Sequence, residues 1–434
     1  NSFCTLLVDS LPPRTVLVPM RTVATSVVAA TLAALAVTVS ASGFNFVTLG
    51  DWGCMPIGGW HAQDELTVAK QFMKSTADLN ARFILNPGDN FYYCGVHNKS
   101  DEMWQSTFED VFTDPSTNVK WWSALGNHDY GYPGSAEAQI EYVSPKADRW
   151  QMPNRYYYKR LEFPGEVNIS LIVLDASPCQ QMYIGNDSSK WDPCGSVIPG
   201  CPGCTFHQNV AAQSCAAQLA WLKATLPTIP DGDWKIAMVH APASEIDVED
   251  LITPLQQSKF DLVVNGHVHL LAHYTVDNVG TYITSGAGCM VKIEDRPRTN
   301  KHVPELGATS CPSNPKFHSC QIVFQRTIAG YTTHEFNADF TTLTTKLLDF
   351  DGNLLHETTS TKGGQPATPA PGATTPAPSH SCCFYSDSSC SIGQTCCDDE
   401  GYSYDRYHCD GSDGQRHMCV WNEWSRKCMV GGNY

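Results

Sequence analysis

The stretch that decides the fold is 83–92, FILNPGDNFY, in which a short apolar run ends in a glycine, a carboxylate and an aromatic residue. Four other segments show the same arrangement of an apolar strand followed by polar side chains: 46–53 (FVTLGDWG), 121–129 (WWSALGNHD), 236–240 (IAMVH) and 263–269 (VVNGHVH). A glycine before the polar residue permits a tight turn and a close approach of the backbone to a bound group. The chain therefore places candidate site residues at the ends of successive strands.

The region around these segments alternates short apolar strands with helical patterns. We expect strands over 44–49, 82–85, 120–124, 169–174, 234–239 and 260–264. We expect helices over 64–79, 103–112, 136–150, 210–222 and 248–257. This alternation predicts an α/β layered fold, in which ligands bind at the carboxyl ends of the strands.

The polar residues at these strand ends form a mixed set of oxygen and nitrogen ligands, namely Asp51, Asp89, Tyr92, Asn127, His240, His267 and His269. The set is too large for one metal ion and suits two. Each member alone has a simpler interpretation, because a Gly-Asp pair usually marks a turn and a lone tyrosine usually fills a core. Asp129 could orient a ligand without being one. Five such segments in order favour a metal centre.

The composition indicates the compartment and excludes some partners. A net charge of −16 disfavours nucleic acid and anionic membranes, which both attract cationic surfaces. The 42% of hydrophobic residues can bury a core, which excludes wholesale disorder. Nineteen cysteines predict disulfides, and hence a secreted protein or one of a lysosome- or vacuole-like compartment. We interpret 178–208, with Cys179, Cys194, Cys201 and Cys204, as a disulfide-bonded surface insertion, the alternative being half of a zinc site.

The N-terminal residues 1–42 are predicted to be absent from the mature protein. Met20 and Arg21 precede an uncharged run over 23–39 that ends in small residues, which is typical of a signal peptide. We expect translation to start at Met20, residues 1–19 to be an artefact, and no membrane segment to remain after cleavage. Glycosylation is predicted at three sequons, Asn98, Asn168 and Asn186.

The composition changes twice after the globular domain, which we place at 43–356. Residues 357–381 are rich in Pro and Thr and predict a stiff linker. Residues 382–434 contain eight cysteines and predict a small disulfide-rich module. Its aromatic residues could bind carbohydrate or cell wall by stacking on sugar rings, or could simply fill its small core.

The strand-end motifs resemble those of a known family. GDWG (50–53), GDNFY (88–92), GNHD (126–129), VH (239–240) and GHVH (266–269) resemble the five motifs of the purple acid phosphatases, within the calcineurin-like metallophosphoesterase superfamily. The resemblance is greatest to the small, mammalian-type (tartrate-resistant) group and covers about 44–350. It implies two packed mixed β-sheets flanked by helices, and a phosphatase acting on phosphate monoesters.

The resemblance also implies a role for each site residue. Fe(III) would be held by Asp51, Tyr92 and His269, and a divalent Fe, Zn or Mn by Asn127, His240 and His267, with Asp89 bridging the two. A hard trivalent ion prefers anionic oxygen, which agrees with the position of the phenolate. The metals would turn a bound water into the hydroxide that attacks phosphorus, and His128, beside Asn127, would be the general acid.

One departure from the family leaves the second proton donor open. The family usually carries a second, non-ligand histidine shortly after the position of His240, whereas 241–255 offers only Glu245, Asp247, Glu249 and Asp250. Glu245 or a neighbouring carboxyl group could act as the proton donor instead. Two rival functions remain. A phosphodiesterase or nucleotide pyrophosphatase of the same superfamily is disfavoured by Tyr92, and a non-catalytic secreted binding protein is disfavoured by the complete ligand set.

Overall fold

The computed structural model describes residues 43–184, 191–195, 201–291 and 317–363, and the backbone of three strands between residues 407 and 430. The predicted signal peptide and the sequon at Asn186 lie outside these residues. Asn98 is exposed and Asn168 is half-buried. In the described part of the chain, no helix is both long enough and apolar enough to cross a bilayer.

Two seven-stranded sheets form the centre of the described region. Their strands, in chain order, are β1 (Asn45–Thr48), β2 (Phe83–Asn86), β3 (Lys120–Ser123), β4 (Trp150–Gln151), β5 (Tyr157–Glu162), β6 (Asn168–Leu174), β7 (Trp234–Val239), β8 (Leu262–Asn265), β9 (Leu271–Val276), β10 (Val279–Ser285), β11 (Cys320–Arg326), β12 (Gly330–Phe336), β13 (Thr342–Asp349) and β14 (Leu354–Thr361). The six expected strands correspond to β1, β2, β3, β6, β7 and β8. The other strands were not predicted individually.

Both sheets are mixed. The first has the order β14-β13-β12-β1-β2-β3-β4, with β1 to β4 parallel and the remaining pairs antiparallel. The second has the order β11-β9-β10-β8-β7-β6-β5, with β6, β7, β8 and β10 parallel and the outer pairs antiparallel. The parallel strands at the centre of each sheet bring several strand carboxyl ends to one edge.

The two sheets pack against each other through alternating side chains. On β6, Leu171 and Val173 join the main core together with residues of the first sheet, whereas Ile172 joins a second cluster on the other face. This alternation is the two-residue period of a strand buried on both faces. Trp234 of β7 meets Phe336 of β12, with their ring centroids 4.9 Å apart, so the contact joins the two sheets directly.

Helices cover the outer faces. They are α1 (Gly59–Asp78), α2 (Ser135–Glu141), α3 (Gln181–Ile184), α4 (Phe206–Ala211), α5 (Cys215–Thr225) and α6 (Ile252–Gln257), with a π-helix at Trp104–Glu109. Phe72 of α1 packs on Trp121 of the first sheet. Leu222 of α5 and Leu255 of α6 pack in the outer cluster of the second sheet. The predicted fold, two packed mixed sheets flanked by helices, is confirmed.

Two predicted helices were wrong in extent. The helix expected over 136–150 ends at Glu141, because Pro145 cannot continue it, and Trp150 lies in β4 beside Trp121. The helix expected over 248–257 begins only at Ile252, where Asp250 Oδ1 accepts the first free backbone N–H groups.

The other three helical segments need smaller corrections. The segment 64–79 lies within α1 except for its last residue, and 103–112 contains the six-residue π-helix. The segment 210–222 is divided into α4 and α5 because Ser214 Oγ accepts the N–H of Ala217 and caps the second helix.

The predicted disulfides are present. The described pairs are Cys54–Cys289, Cys94–Cys201, Cys179–Cys215 and Cys194–Cys204. All four cysteines of 178–208 are paired, which rejects the half-zinc alternative. The segment is not purely a surface insertion, because Pro178 and Cys179 are buried and two of its bridges tie it to Cys94 and Cys215.

The C-terminal boundary of the globular domain lies later than predicted. Strand β14 runs to Thr361 and pairs with β13 along its length, with Thr358 and Ser360 buried. The predicted boundary at residue 356 therefore cuts a strand. Further on, β15 (Tyr407–Asp410), β16 (Arg416–Asn422) and β17 (Lys427–Val430) form an antiparallel sheet within the predicted C-terminal module. The side chains of this module, and hence its predicted disulfides, lie outside the described residues.

Candidate metal centre

The seven predicted ligands follow strands of both sheets. Asp51 follows β1, Asp89 and Tyr92 follow β2, Asn127 follows β3, His240 follows β7, and His267 and His269 follow β8. The first three strands belong to one sheet and the last two to the other. The site therefore lies at the carboxyl edge where the two sheets meet, and each sheet supplies part of it.

Three of these residues have a left-handed backbone. The φ angles are 56° at Asp51, 53° at Asp89 and 68° at His267. This region is uncommon for residues other than glycine, and holding a residue there costs about 1–3 kcal/mol, which the surrounding structure must offset. The strain turns each side chain sharply out of its strand end and into the site.

Two glycines permit the carboxylates to lie this deep. A Cβ on Gly266 would lie 2.2 Å from Asp51 Oδ2, and a Cβ on Gly126 would lie 2.1 Å from Asp89 Oδ1. Both distances are well inside contact, so any larger residue would displace the carboxylate. These glycines of the motifs therefore leave space for the two carboxylates, in addition to permitting tight turns.

One group of side chains surrounds the hydroxyl of Tyr92. Its oxygen lies 3.2 Å from Asp51 Oδ1, 3.2 Å from Asp89 Oδ2 and 3.0 Å from His269 Nε2. Nε2 of His269 is also 3.5 Å from Asp51 Oδ1. Asp51, Asp89 and His269 form one of the sets whose ligand atoms all lie within 4.8 Å of one another.

A second group shares Asp89 with the first. Nε2 of His240 lies 3.3 Å from Asp89 Oδ2 and 3.0 Å from Asn127 Oδ1. Nδ1 of His240 donates to the carbonyl of Pro87 at 2.9 Å, which fixes the ring and directs Nε2 into the site. Asp89, His240 and His267 form another compact ligand set.

The electrostatics of the two groups depend on each other. Burial opposes a charge on Asp89, but the nearby His240 and His128 hold its pKa below the usual range. Burial would also lower the pKa of His240, yet the charge of Asp89 raises it to about 10. Burial and the charges of Asp51 and Asp89 raise the pKa of Tyr92. A cation bound beside the Tyr92 hydroxyl would act against this rise in pKa, because positive charge favours the phenolate.

His128 lies between the two groups, as expected of a residue beside Asn127. Its Nδ1 is 2.6 Å from the carbonyl of Tyr93, which makes Nδ1–H the donor and leaves Nε2, 4.0 Å from Asp89 Oδ2, facing the site. Its ring also packs against those of Tyr92 and Trp191. Burial lowers its pKa, although Asp89 acts in the opposite direction.

Asp129 lies behind the ligands. Its carboxylate accepts the backbone N–H groups of Gly126, at 2.8 Å, and of Asn90, at 3.1 Å. These bonds join the turn after β2 to the turn after β3. Burial and the charge of Asp89 raise the pKa of Asp129 to about 7. The structure thus places Asp129 as an orienting residue.

Sequence reasoning missed a buried network of hydrogen bonds around Tyr130, two residues after His128. Tyr130 donates to Asp175 and accepts from Arg155, and Asp175 is buried, with a pKa raised to about 6 mainly by that burial. Asp175 directly follows β6, so it carries the same strand-end signal as the predicted ligands.

The carboxyl groups that could supply the second proton donor contact different parts of the protein. Glu245 Oε2 lies 2.9 Å from His267 Nε2, at the edge of the centre. Asp250 instead contacts His318, and Asp247 accepts the N–H of Gln181. Of these three, only Glu245 touches a predicted ligand.

Comparison with known proteins identifies the family of the chain. The model of the calcineurin-like phosphoesterases matches residues 44–271, which include every predicted ligand. The chain is 35% identical over 253 residues to the tartrate-resistant acid phosphatase type 5 of Sus scrofa, covering 56% of this chain and 69% of that protein. It is 27% identical over 245 residues to purple acid phosphatase 7 of Arabidopsis thaliana, covering 56% and 70%.

A solved structure shows the same fold. The structure described as GAP50, the anchor in the inner membrane complex of Plasmodium, aligns with a TM-score of 0.51 and 18% identity, covering 74% of this chain and 90% of that one. Identity this low bears on the fold alone.

The chain therefore belongs to the calcineurin-like phosphoesterases and, within them, to the purple acid phosphatases. This membership confirms the predicted family and the predicted class of enzyme, an acid phosphatase. The tartrate-resistant proteins are the more similar of the two groups of relatives, as the motifs indicated.

Proposed function

We propose that this protein is a secreted acid phosphatase that hydrolyses phosphate monoesters at a dinuclear Fe(III)–M(II) centre, where M is Fe, Zn or Mn. Asp51, Tyr92 and His269 would hold Fe(III), and Asn127, His240 and His267 would hold the divalent ion. The observation that carries the proposal is the position of Asp89, whose Oδ2 lies 3.2 Å from Tyr92 Oη and 3.3 Å from His240 Nε2. One carboxylate oxygen thus serves both ligand groups, as a bridge requires.

The spacing of the donor atoms fits bound ions. Two donors that each lie about 2.1 Å from one ion, at a right angle to each other, are about 3.0 Å apart. The donor pairs around Tyr92, and the pair His240–Asn127, lie 3.0 to 3.2 Å apart. Tyr92 also has a single proton to share between two carboxylates, so a cation satisfies this cluster better than hydrogen bonds do.

The chemistry divides between the ions and the protein. When bound, a metal pair supplies Lewis acidity towards the phosphoryl oxygens and a hydroxide nucleophile. The protein's own part includes the proton for the leaving group, which we assign to Nε2 of His128 in its doubly protonated, imidazolium form. The bond from Nδ1 to the Tyr93 carbonyl fixes the ring, so that Nε2 faces the site.

The expected compartment follows from the disulfides. Of the four described pairs, three join residues 36 or more positions apart, including Cys54 to Cys289 next to Tyr92. Such bonds persist in oxidising compartments, which supports secretion or delivery to a lysosome-like compartment. The exposed Asn98 is the sequon best placed for a glycan. Digestion with an endoglycosidase should shift the mass of the secreted protein.

The central experiment combines metal analysis, a visible spectrum and activity on the purified protein. We expect one iron plus one further metal ion per chain, a purple colour, and hydrolysis of p-nitrophenyl phosphate at acid pH. Faster hydrolysis of bis-p-nitrophenyl phosphate than of the monoester would favour a phosphodiesterase instead. Two bound metals without hydrolysis of either compound would favour a binding protein.

A further inference from the structure

The segment after β7 brings one carboxylate to the rim of the centre. Its residues Ala243–Glu245 form a 3-10 turn in which Ala243 and Ser244 are buried, and the N–H of Glu245 donates to the carbonyl of Pro242 at 3.0 Å. The backbone of Glu245 is therefore fixed relative to His240. Its side chain remains 22% exposed and points to the site edge rather than away from it.

That carboxylate meets the imidazole of His267. Oε2 of Glu245 lies 2.9 Å from Nε2 of His267, whose side chain is only 14% exposed. An ionised carboxylate only accepts hydrogen bonds, so a ring nitrogen at this distance is the one that carries the proton. A protonated ring nitrogen cannot also bind a metal, which leaves Nδ1 of His267 for that purpose.

His267 is held at its backbone as well as at its ring. Its N–H lies 3.0 Å from both oxygens of Asp51, and its φ of 68° is fixed by the turn after β8. The ring of His240, by contrast, is oriented by a neutral group, the carbonyl of Pro87. The rings of both histidines contact a carboxylate, but Asp89, beside His240, is itself a predicted ligand, whereas Glu245, beside His267, is not.

The charge of Glu245 complements the composition of the divalent group. The ligands that belong to this group alone are two imidazoles and an amide. Its carboxylate ligand, Asp89, is shared with the Fe(III) group. A carboxylate next to His267 makes the imidazole a more basic ligand and adds a second negative charge near the divalent ion. The contact with His267 and this electrostatic effect together indicate that Glu245 supports a metal ligand instead of donating a proton.

We propose that Glu245 is the positioning residue of the divalent site, fixing His267 with its proton on Nε2 and Nδ1 turned to the metal. The inference rests on the proposed function, since it requires a second metal ion. It replaces the alternative that Glu245 protonates the leaving group, because its carboxylate contacts the ring of a predicted ligand.

The test measures Zn²⁺ binding to iron-loaded protein by competition with a chelator. Loss of a carboxylate behind a ligating histidine typically weakens metal binding about 10- to 100-fold. We expect Glu245→Ala to show a loss of this size, while its iron content, visible band and melting temperature remain those of the wild type. Glu245→Gln should bind Zn²⁺ with intermediate affinity, because its amide oxygen still accepts the Nε2 proton.

The control is Glu249→Gln, which removes a carboxylate from the same acidic stretch and should leave Zn²⁺ affinity unchanged. Wild-type Zn²⁺ affinity in Glu245→Ala would overturn the inference and leave the proposed function intact. Equal losses in the Ala and Gln variants would make Glu245 a direct ligand, and parallel loss of iron would make its role one of stability, so either result also overturns it. A wild type that binds iron but no second metal would overturn the dinuclear proposal as well.

Discussion

Tyr92 is the residue at which the need for a bound cation is most direct. Its hydroxyl carries one proton and faces the carboxylates of Asp51 and Asp89 at 3.2 Å each. Burial and these charges raise its pKa, whereas a bound cation would lower it again. Under the proposed assignment, ionisation of the phenol is therefore coupled to occupancy of the proposed Fe(III) position.

Replacing Tyr92 by Phe tests this coupling. We expect Tyr92→Phe to lose the visible charge-transfer band while retaining iron and part of its hydrolytic activity, because Asp51, Asp89 and His269 remain. The measurements are an absorption spectrum and iron content of the folded variant. An unchanged band in iron-loaded Tyr92→Phe protein would show that Tyr92 is not a ligand. Asp89→Ala is the harsher comparison and should lower the content of both metals.

His128 is predicted to act on the leaving group, so its importance should depend on the substrate. Nitrophenolate leaves readily without a proton, whereas an alkoxide does not. General acid catalysis is worth about 10²- to 10⁴-fold, so His128→Ala should approach the upper value for alkyl phosphates and lose much less on aryl phosphates. A series of esters with graded leaving-group pKa measures this. A common factor for all esters would instead show that His128 binds the phosphate.

At the scale of elements, His318 links the turn between β9 and β10 to the segment before α6. His318 Nδ1 lies 2.6 Å from Asp277 Oδ2, in the turn between β9 and β10, and Nε2 lies 2.8 Å from Asp250 Oδ1, before α6. Burial would lower the pKa of His318, but the two carboxylates raise it above its ordinary value. The pKa values of Asp250 and Asp277 are lowered, since hydrogen bonds from His318 outweigh their burial.

The sign of the pH dependence follows from these shifts. A histidine whose pKa is raised on folding stabilises fully below its unfolded pKa of about 6.5, and that stabilisation is lost as the pH rises through the folded value. The two carboxylates contribute above about pH 3.9 and lose their contribution as the pH falls through their folded values. The His318 contacts are therefore strongest in the acidic range expected for the enzyme.

We expect His318→Gln to lower the free energy of unfolding by about 1–2 kcal/mol at pH 5.5 and by clearly less at pH 8.5. Urea denaturation at the two pH values measures the difference. His356 is the control of opposite sign, because burial lowers its pKa to about 4 and it disfavours the folded state in acid. His356→Gln should gain stability relative to the wild type as the pH falls below about 6.5. An equal loss at both pH values in His318→Gln would contradict the charged contacts.

At the scale of the whole molecule, the predicted site residues lie within the two-sheet domain. The matched family region ends at residue 271, while β9 to β14 complete the sheets up to Thr361. The Pro/Thr-rich composition beyond residue 363 predicts a linker that separates this domain energetically from the C-terminal module.

Removing residues 364–434 tests that separation. We expect turnover of p-nitrophenyl phosphate to stay within about twofold of the full-length value, because the ligands and both sheets remain. Retention on insoluble polysaccharide should fall if the aromatic residues of the module bind sugars. A large fall in turnover would indicate that the module contacts the catalytic domain, and equal retention of both proteins would reject carbohydrate binding.

The sequence by itself determined the strands that carry the site and the candidate ligands. Short apolar runs followed by a polar residue, with a glycine between them after β1, β2, β3 and β8, are local signals, and these four strands and β7 formed where the signals predicted. The family motifs lie in the same segments, so family and class of enzyme could also be predicted. Strands β4, β5 and β9 to β14 were not predicted individually.

Only the tertiary structure decided what these residues do to one another. The pairing of Glu245 with His267, the buried network of Tyr130 with Asp175, and the disulfide partners join positions far apart in the chain. Helix lengths were likewise set by single residues such as Pro145 and Asp250, which override the apolar period. Strand ends can be predicted because they depend on neighbouring residues, whereas contacts across the edge between two sheets depend on how the sheets pack.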